Sequence, residues 1–448
     1  MNFSSHQIYF YLLLFGVCCG PIFTGYILGF SSPTIRDLTG ILSVMQMSSF
    51  ASMLYIGGTI GSLFIAYVMD KWGRKMSIAI SAIPAIIGWI FIIWCSSFDI
   101  DVIKYVYYLY FARILGGISC GMNMACTTVY LVEISPAAWR GTFASLNQVG
   151  ITVGIFLSYL IGKYFPYGHS AIVALLITIV LFFTGISIPE SPRWLINQDS
   201  VTNARNSLRV LRSKTANIEQ ELNDIIVSNN ESRKSEQQQQ QQLSLSTIFT
   251  SKYQGKIFMI IQIMLLQQFS GINAFISYAD IIFTKVLANY KFFKNFAMII
   301  GLVQVIFTII GMGFIDRFGR KSFLKVAGVI MGISLISMTL SLRVELGALI
   351  IVSMIAYIIG FSVGWGPIPV ILCTEMLPQE ARSLAGSVAV LTSWIGGYIV
   401  TSAFPFVNFM IGDGVVFVIF GLVCFYSVIF VERKVPETKG MSLECIPV

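Results

Sequence analysis

Charge is what this chain has least of: Asp, Glu, Lys and Arg make up only 11 % of its 448 residues, against 56 % hydrophobic ones. At a mean hydropathy of +0.79 no soluble domain could hide that much apolar surface, so the chain reads as a polytopic, all-α membrane protein. Histidine is nearly missing, and His6 and His169 stand too far apart to share a metal. Paired cysteines are missing too. Of eight cysteines, Cys18, Cys19, Cys95, Cys120, Cys126, Cys373 and Cys424 lie in apolar runs without paired spacing, which argues against a disulfide framework or a zinc site. No cluster of nucleophile, base and metal ligands appears, so an enzyme is disfavoured and no cofactor is expected. The first apolar run, 8 to 30, has neither a basic n-region nor a small-residue cleavage site, and reads as a retained helix. It also contains no acid between Ile8 and Phe30.

What the chain has in quantity is long apolar sequence. Twelve runs follow one another from 8 to 30 through 412 to 431, each long enough at about 1.5 Å per helical residue to cross a hydrocarbon core of about 30 Å. An even number of spans puts both termini on one side. Of the 29 Lys and Arg residues 21 fall on that side, among them Lys71, Arg74, Lys75 and the stretch from Arg193 to Lys256, which makes it cytoplasmic. The net charge of +8 is then the excess of cytoplasmic loops, and it calls for no nucleic-acid partner. The expected layout is a six-helix bundle over 1–188, a cytoplasmic loop over 189–255, a second six-helix bundle over 256–431 and a cytoplasmic tail over 432–448.

The chain repeats itself. Asp70-Lys-Trp-Gly-Arg-Lys75 returns as Asp316-Arg-Phe-Gly-Arg-Lys321, Glu133 with Arg140 returns as Glu375 with Arg382, and Pro189-Glu190 returns as Pro436-Glu437, all at an offset near 245 residues. Parallel six-span repeats place a substrate site near the midplane between them. The repeated charges all fall at cytoplasmic helix ends. Asp70, Glu133, Glu190, Asp316 and Glu375 are expected to meet Arg74, Arg140, Arg193, Arg320 and Arg382 in a latch. Such a latch would hold the halves together on the inner side and part when the cavity opens inward, a role that suits weak, partly solvated pairs.

In the middle of the seventh run stands Gln267-Gln-Phe-Ser-Gly-Ile-Asn273. Carboxamides without partners are expensive in hydrocarbon, and Gln267, Ser270 and Asn273 share one helical stripe. Either the stripe lines a cavity for a neutral, hydroxyl-rich ligand, or it glues helices together. In the tenth run Gly364, Gly366, Pro367 and Pro369 should interrupt backbone hydrogen bonding, which makes a candidate gate hinge. Tyr278 is a candidate outer lid or an ordinary packing residue, and Asp280 reads as a helix-end acid close to Lys285 in preference to a proton relay. In the loop, Val201, Ala204, Leu208 and Leu211, then Ile218, Leu222, Ile225 and Ile226, keep helical spacing and predict two short amphipathic helices under the bundle. Residues 229–242, with six consecutive glutamines from Gln237, read as a disordered linker.

On the two Asp-x-x-Gly-Arg-Lys loops, Arg113-Ile-Leu-Gly-Gly117, Val132-Glu-Ile-Ser-Pro136 with Arg140-Gly141, Pro189-Glu-Ser-Pro-Arg-Trp194, the Gln267 to Asn273 stretch, Gly364-Trp-Gly-Pro-Ile-Pro369 and Pro436-Glu-Thr-Lys-Gly440, the chain resembles the sugar porter family of the major facilitator superfamily. The likeness runs from about Gly20 to Gly440. It implies a major facilitator fold working by alternating access, a sugar substrate, residence in the lipid bilayer of the plasma membrane, and no obligate protein partner. It also implies a site: Gln148 on the fifth helix, Gln267, Gln268 and Asn273 on the seventh, Gln304 where the eighth often has asparagine, and Trp394 on the pocket floor. Amides offer donors and acceptors to hydroxyls while an aromatic ring covers the apolar face of a pyranose. Ser362 and Val370 stand where the family's tenth helix often has an acid and a tryptophan, and Ser393 stands where asparagine is common. The pocket is thereby enlarged, and a sugar bigger than glucose fits the expectation. Gly25-Tyr-Ile-Leu-Gly-Phe-Ser-Ser-Pro33 looks like the insect trehalose transporter branch. Proton-coupled relatives carry an acid on the first helix, and this chain has none. Facilitative uniport of trehalose or a hexose is therefore expected, with proton symport and a non-transporting sugar sensor as the alternatives.

Overall fold

The computed structural model describes residues 5–97, 102–135, 140–212, 217–239, 251–286, 296–344, 346–376 and 379–437. The first half consists of α1 (Ser5–Gly29), a short α2 (Ser31–Asp37) at its outer end, α3 (Val44–Ser96), α4 (Val102–Ile134), α5 (Arg140–Tyr164) and α6 (Tyr167–Ser187). A linking segment forms α7 (Pro192–Asn197), α8 (Val201–Leu211) and α9 (Ile218–Gln239). The second half comprises α10 (Ser251–Phe269) and α11 (Ile272–Val286), which make one span, then α12 (Phe296–Phe318), α13 (Arg320–Val344), α14 (Gly347–Gly360) leading into α15 (Ile368–Glu375), α16 (Gln379–Ile411) and α17 (Asp413–Lys434). Among the described residues, eleven helical stretches are long and apolar enough to cross a membrane. One of them, the 53-residue α3, turns at Gly73 and crosses twice, as spans two and three, so the twelve expected spans are present.

Packing repeats the duplication seen in the sequence. Span one lies on five and three on six; seven lies on eleven and nine on twelve. The halves meet along span five against eight and span two against eleven. Within the first half, a Cβ at Gly57 would run into the Ile114 carbonyl and one at Gly117 into the Leu54 carbonyl, so spans two and four touch backbone to backbone. Small residues do this work in membranes, where lipid supplies no hydrophobic drive between helices. Large apolar side chains such as Leu63, Phe64, Ile90, Val326 and Leu422 face outward, as a bilayer requires.

The repeated loops have one geometry. Gly73 (φ 80°) and Gly319 (φ 87°) both take left-handed backbone, and the helix after each starts under a carboxylate. Glu190 accepts the N–H groups of Arg74 and Lys75, and Glu437 accepts those of Arg320 and Lys321. An anion at a helix N-terminus satisfies orphan donors and meets the positive end of the dipole. A side chain on Gly73 would strike the Glu190 carboxylate, and one on Gly319 would come 2.8 Å from that of Glu437. Gly73→Ala should therefore lower the melting temperature of the purified protein by several degrees. Left-handed backbone alone costs a non-glycine residue about 1–2 kcal/mol, and an unchanged melting curve would contradict this account.

The linking segment packs as the spacing predicts. Ile196, Ala204, Leu208 and Leu222 form its small core, and Arg212 ties it to the bundle by donating to the Ile134 carbonyl at the end of α4 (2.8 Å) while pairing with Glu221 (2.6 Å). The expected disorder from 229 onward is corrected: α9 continues to Gln239. The stretch lacks Pro and Gly, and Gln, Glu, Lys and Arg are good helix formers, so propensity carries the helix on where composition alone pointed to a linker. Residues 240–242 lie outside the described residues.

Candidate functional site

Proline chemistry shapes the site. Pro367 and Pro369 have no N–H, so the carbonyls of Val363 and Trp365 lose the donors that an α-helix would give them four residues on. Span ten responds with a π-helical turn over Phe361–Trp365, closed by the Gly366 N–H on the Phe361 carbonyl at 2.7 Å. One of the two is taken by span seven: Gln267 Nε2 donates to Trp365 O at 2.6 Å, and it also reaches Gly366 O at 3.2 Å. The four residues expected as a hinge thus lie in an interrupted backbone whose open Trp365 acceptor is held by a carboxamide.

Gln267 is the end of a chain of amides. Gln268 Nε2 donates to Gln267 Oε1 at 3.2 Å, and Asn273 Nδ2 donates to Gln268 Oε1. The chain runs along span seven where α10 breaks at Gly271 (φ 94°) before α11 begins. Gln267 and Gln268 are buried while Asn273 is half-buried. Gln148 of span five, also half-buried, faces Gly366 from the other half: a Cβ on Gly366 would lie 3.7 Å from its Nε2. Trp394 of span eleven sits beneath, its indole over Gly58 and edge-on to Tyr55 at 5.9 Å between centroids. The structure thus brings together Gln148, Gln267, Gln268, Asn273 and Trp394 from both halves. Gln304 stands apart, buried, in a small mostly apolar pocket with Tyr159, Phe275 and Ile276.

On the face away from the chain termini, which the sequence reading places outside, the halves are closed on each other. Ser48 donates to the Ser402 carbonyl (2.8 Å), Tyr159 to the Ile276 carbonyl (2.8 Å), and the Asp280 N–H to Ser32 Oγ (2.8 Å). Tyr278 is buried there, stacked on Phe404 at 5.4 Å and donating to the Thr401 carbonyl (2.9 Å), at a residue where α11 leaves helical geometry. Asp280 meets Arg36 of the other half at 3.6 Å, and Arg36 also holds Asp37 (2.9 Å) and the Gly162 carbonyl (2.7 Å). The acid was expected beside Lys285, whose side chain lies outside the described residues. Its partner comes instead from α2, a helix too short to have drawn notice in the sequence.

At the opposite face, which the sequence reading places inside, the described charge pairs join helices of one half. Arg74 meets Glu133 at 3.0 Å within the first half, and Arg320 meets Glu375 at 3.1 Å within the second. A bridge between halves was expected, and these pairs do not make it, because the starts of spans three and nine lie beside the ends of spans four and ten within their own bundle. Glu190 serves helix starts, as above, and burial raises its carboxyl pKa against the pull of the N–H groups of Ser191, Lys75 and Arg74. Asp70 lends its carbonyl to Trp194 Nε1 (3.2 Å). Arg193 lies beside Glu190 in sequence and makes contacts of its own. The side chains of Arg140, Asp316 and Arg382 lie outside the described residues.

Arg113 of span four was quoted only as part of a motif. It is fully buried, and its guanidinium donates to Phe50 O (3.2 Å), Ile27 O (3.0 Å) and Ser31 Oγ (2.6 Å) while lying over the Phe50 ring. All of these contacts are neutral. A lone basic residue inside an apolar run was the signal available in the sequence, because such a residue must find several acceptors to stay there.

Two duplicated six-span halves, closed together on one face around a cluster of uncharged amides, define a membrane carrier of the major facilitator type. The sugar (and other) transporter family matches residues 36–448, and the chain belongs to it. Sugar transporter ERD6-like 6 of Arabidopsis thaliana is 33 % identical over 444 residues, covering 96 % of this chain and 88 % of that protein. The facilitated trehalose transporter Tret1 of Bombyx mori is 31 % identical over 445 residues, covering 97 % of this chain and 85 % of that protein. Among solved structures, the inward-open xylose transporter XylE from E. coli superposes with a TM-score of 0.82 at 24 % identity, covering 97 % of this chain and 98 % of that one.

Proposed function

We propose that the protein is a facilitative sugar transporter of the plasma membrane, with both termini cytoplasmic, carrying trehalose or a hexose by alternating access. The observation that supports this most directly is the convergence of Gln148 from one half with Gln267, Gln268 and Asn273 from the other. Each can donate and accept, and none is charged. Such a set recognises hydroxyls without favouring an ion. Sugar hydroxyls compete for Gln267, and when its amide turns to the ligand the Trp365 and Gly366 carbonyls are released, which loosens the tenth span. Occupancy is thereby coupled to the hinge at Gly364, Gly366, Pro367 and Pro369. The inner-side pairs Arg74–Glu133 and Arg320–Glu375 keep each bundle's inner end rigid as the halves rock.

Uniport is supported by the surroundings of Arg113. A proton-coupled carrier needs an acid within the membrane that gains and loses a proton during the cycle. Among the described residues no carboxylate pairs with Arg113, and the first span offers only the Ile27 carbonyl. Asp280 stays in contact with Arg36 at the outer rim. Uptake of labelled trehalose, glucose and fructose by cells expressing the protein tests the reading. Saturable uptake that a proton uncoupler leaves within about twofold is expected; abolition by the uncoupler would make the protein a symporter. No uptake from protein shown to be at the surface would make it a sensor.

A further inference from the structure

Beyond the amide cluster, toward the closed outer side, two hydroxyls are buried without a partner. Tyr55 Oη of span two and Thr401 Oγ1 of span eleven make no hydrogen bond, although the residues are only 3 % and 0 % exposed. The Tyr55 hydroxyl faces the side chains of Thr401 and Ser277 without bond geometry to either. A phenylalanine and a valine would fill the same space without stranding a polar atom, since a buried hydroxyl left unsatisfied is unfavourable. Both hydroxyls therefore gain a partner only in another state of the molecule.

Their position indicates which state. Tyr55 and Thr401 belong to opposite halves and lie beneath the contacts from Ser48 to Ser402 and from Tyr278 to the Thr401 carbonyl. When the outer side opens, they line the mouth of the site. They also adjoin the amides. A Cβ on Gly397 would lie 2.6 Å from the Tyr55 ring and 3.0 Å from Asn273 Nδ2, so glycine lets the Tyr55 ring pack against span eleven right beside the amides. Thr401 follows Gly397 by one helical turn, about 6 Å further out along the span. That is about the length of one pyranose ring. Trp394, edge-on to Tyr55, floors the inner end.

We propose that Tyr55, Thr401 and Ser277 form a second-ring subsite, which binds the outer hexose ring of a disaccharide whose inner ring is held by Gln148, Gln267, Gln268 and Asn273. The inference rests on sugar transport by this site and narrows its substrate class from hexose to disaccharide. A monosaccharide seated on the amides leaves Tyr55 and Thr401 unengaged. The two hydroxyls reward a ligand long enough to reach them.

Uptake kinetics of labelled trehalose and labelled glucose, normalised to surface protein, test the proposal in the wild type, Tyr55→Phe and Thr401→Val. Each variant should raise the KM for trehalose about tenfold relative to the KM for glucose, the equivalent of one hydrogen bond. Equal effects on both sugars, no effect on either, or a wild type that carries glucose but not trehalose would overturn the subsite while leaving sugar transport standing. A wild type that carries no sugar would instead remove the functional reading beneath it. Gly397→Ala supplies a second measurement that keeps both hydroxyls but displaces the Tyr55 ring: it should raise the trehalose-to-glucose KM ratio in the same direction, and an unchanged ratio would count against the placement of Tyr55.

Discussion

Gln267→Ala is expected to reduce kcat/KM for sugar uptake about a hundredfold with normal amounts of protein at the surface. The side chain would lose both the amide that faces hydroxyls and the donor that holds the tenth span. Two hydrogen bonds at about 1–1.5 kcal/mol each account for the factor. The structural part of the loss has its own signature. The substitution orphans the Gln268 Nε2 donor and the Trp365 carbonyl, and the carbonyl then has neither a helical nor a side-chain partner, because residue 369 is proline. Span ten should become looser, and limited proteolysis or hydrogen exchange around 361–369 should show faster opening in the variant. A variant with normal uptake would separate these amides from transport altogether and return them to the role of interhelical glue.

Arg113→Ala should have the largest effect on the protein itself. It empties a fully buried site and removes donors from spans one and two at once, since Ile27, Ser31 and Phe50 all depend on the one guanidinium. Truncating a large buried side chain costs about 2–5 kcal/mol, so surface abundance should fall severalfold and the melting temperature by a few degrees. Arg113→Lys is the informative companion. It keeps the charge and most of the volume but loses the planar fork, and should recover part of the abundance. Full recovery would mean that charge alone matters at this position, and no loss in Arg113→Ala would mean that the three acceptors find other donors.

Much of the architecture was readable from residue order because a bilayer leaves few choices. Apolar runs of sufficient length must be spans, and Gly73 with Gly319 inside matching charged loops announced the duplication. The partners of charged groups were harder to read. Glu190 and Arg193 are three residues apart and invited pairing, yet the carboxylate turns to the backbone of Arg74 and Lys75, where a helix start offers two aligned donors. Arg36 and Asp280 lie on different halves, so no local spacing could join them. Pro369 told of an open carbonyl at Trp365, but only the folded chain assigns that acceptor to Gln267, 98 residues away. Tyr55 gave no sign at all: a tyrosine in an apolar run looks like packing until its hydroxyl is found without a partner.

The amide chain from Asn273 through Gln268 and Gln267 to Trp365 has a consequence for the unloaded protein. A carrier that moves sugar down a gradient must make every second journey with nothing aboard. Were its carboxamides reliant on sugar for partners, that homeward journey would strand them in a dry interior, and swapping one sugar for another across the bilayer would far outpace net flow. Here the amides satisfy each other while they wait. Under the facilitative transport proposed above, the return leg is expected to run at a rate close to that of the loaded leg, which favours net flow over exchange of cargo.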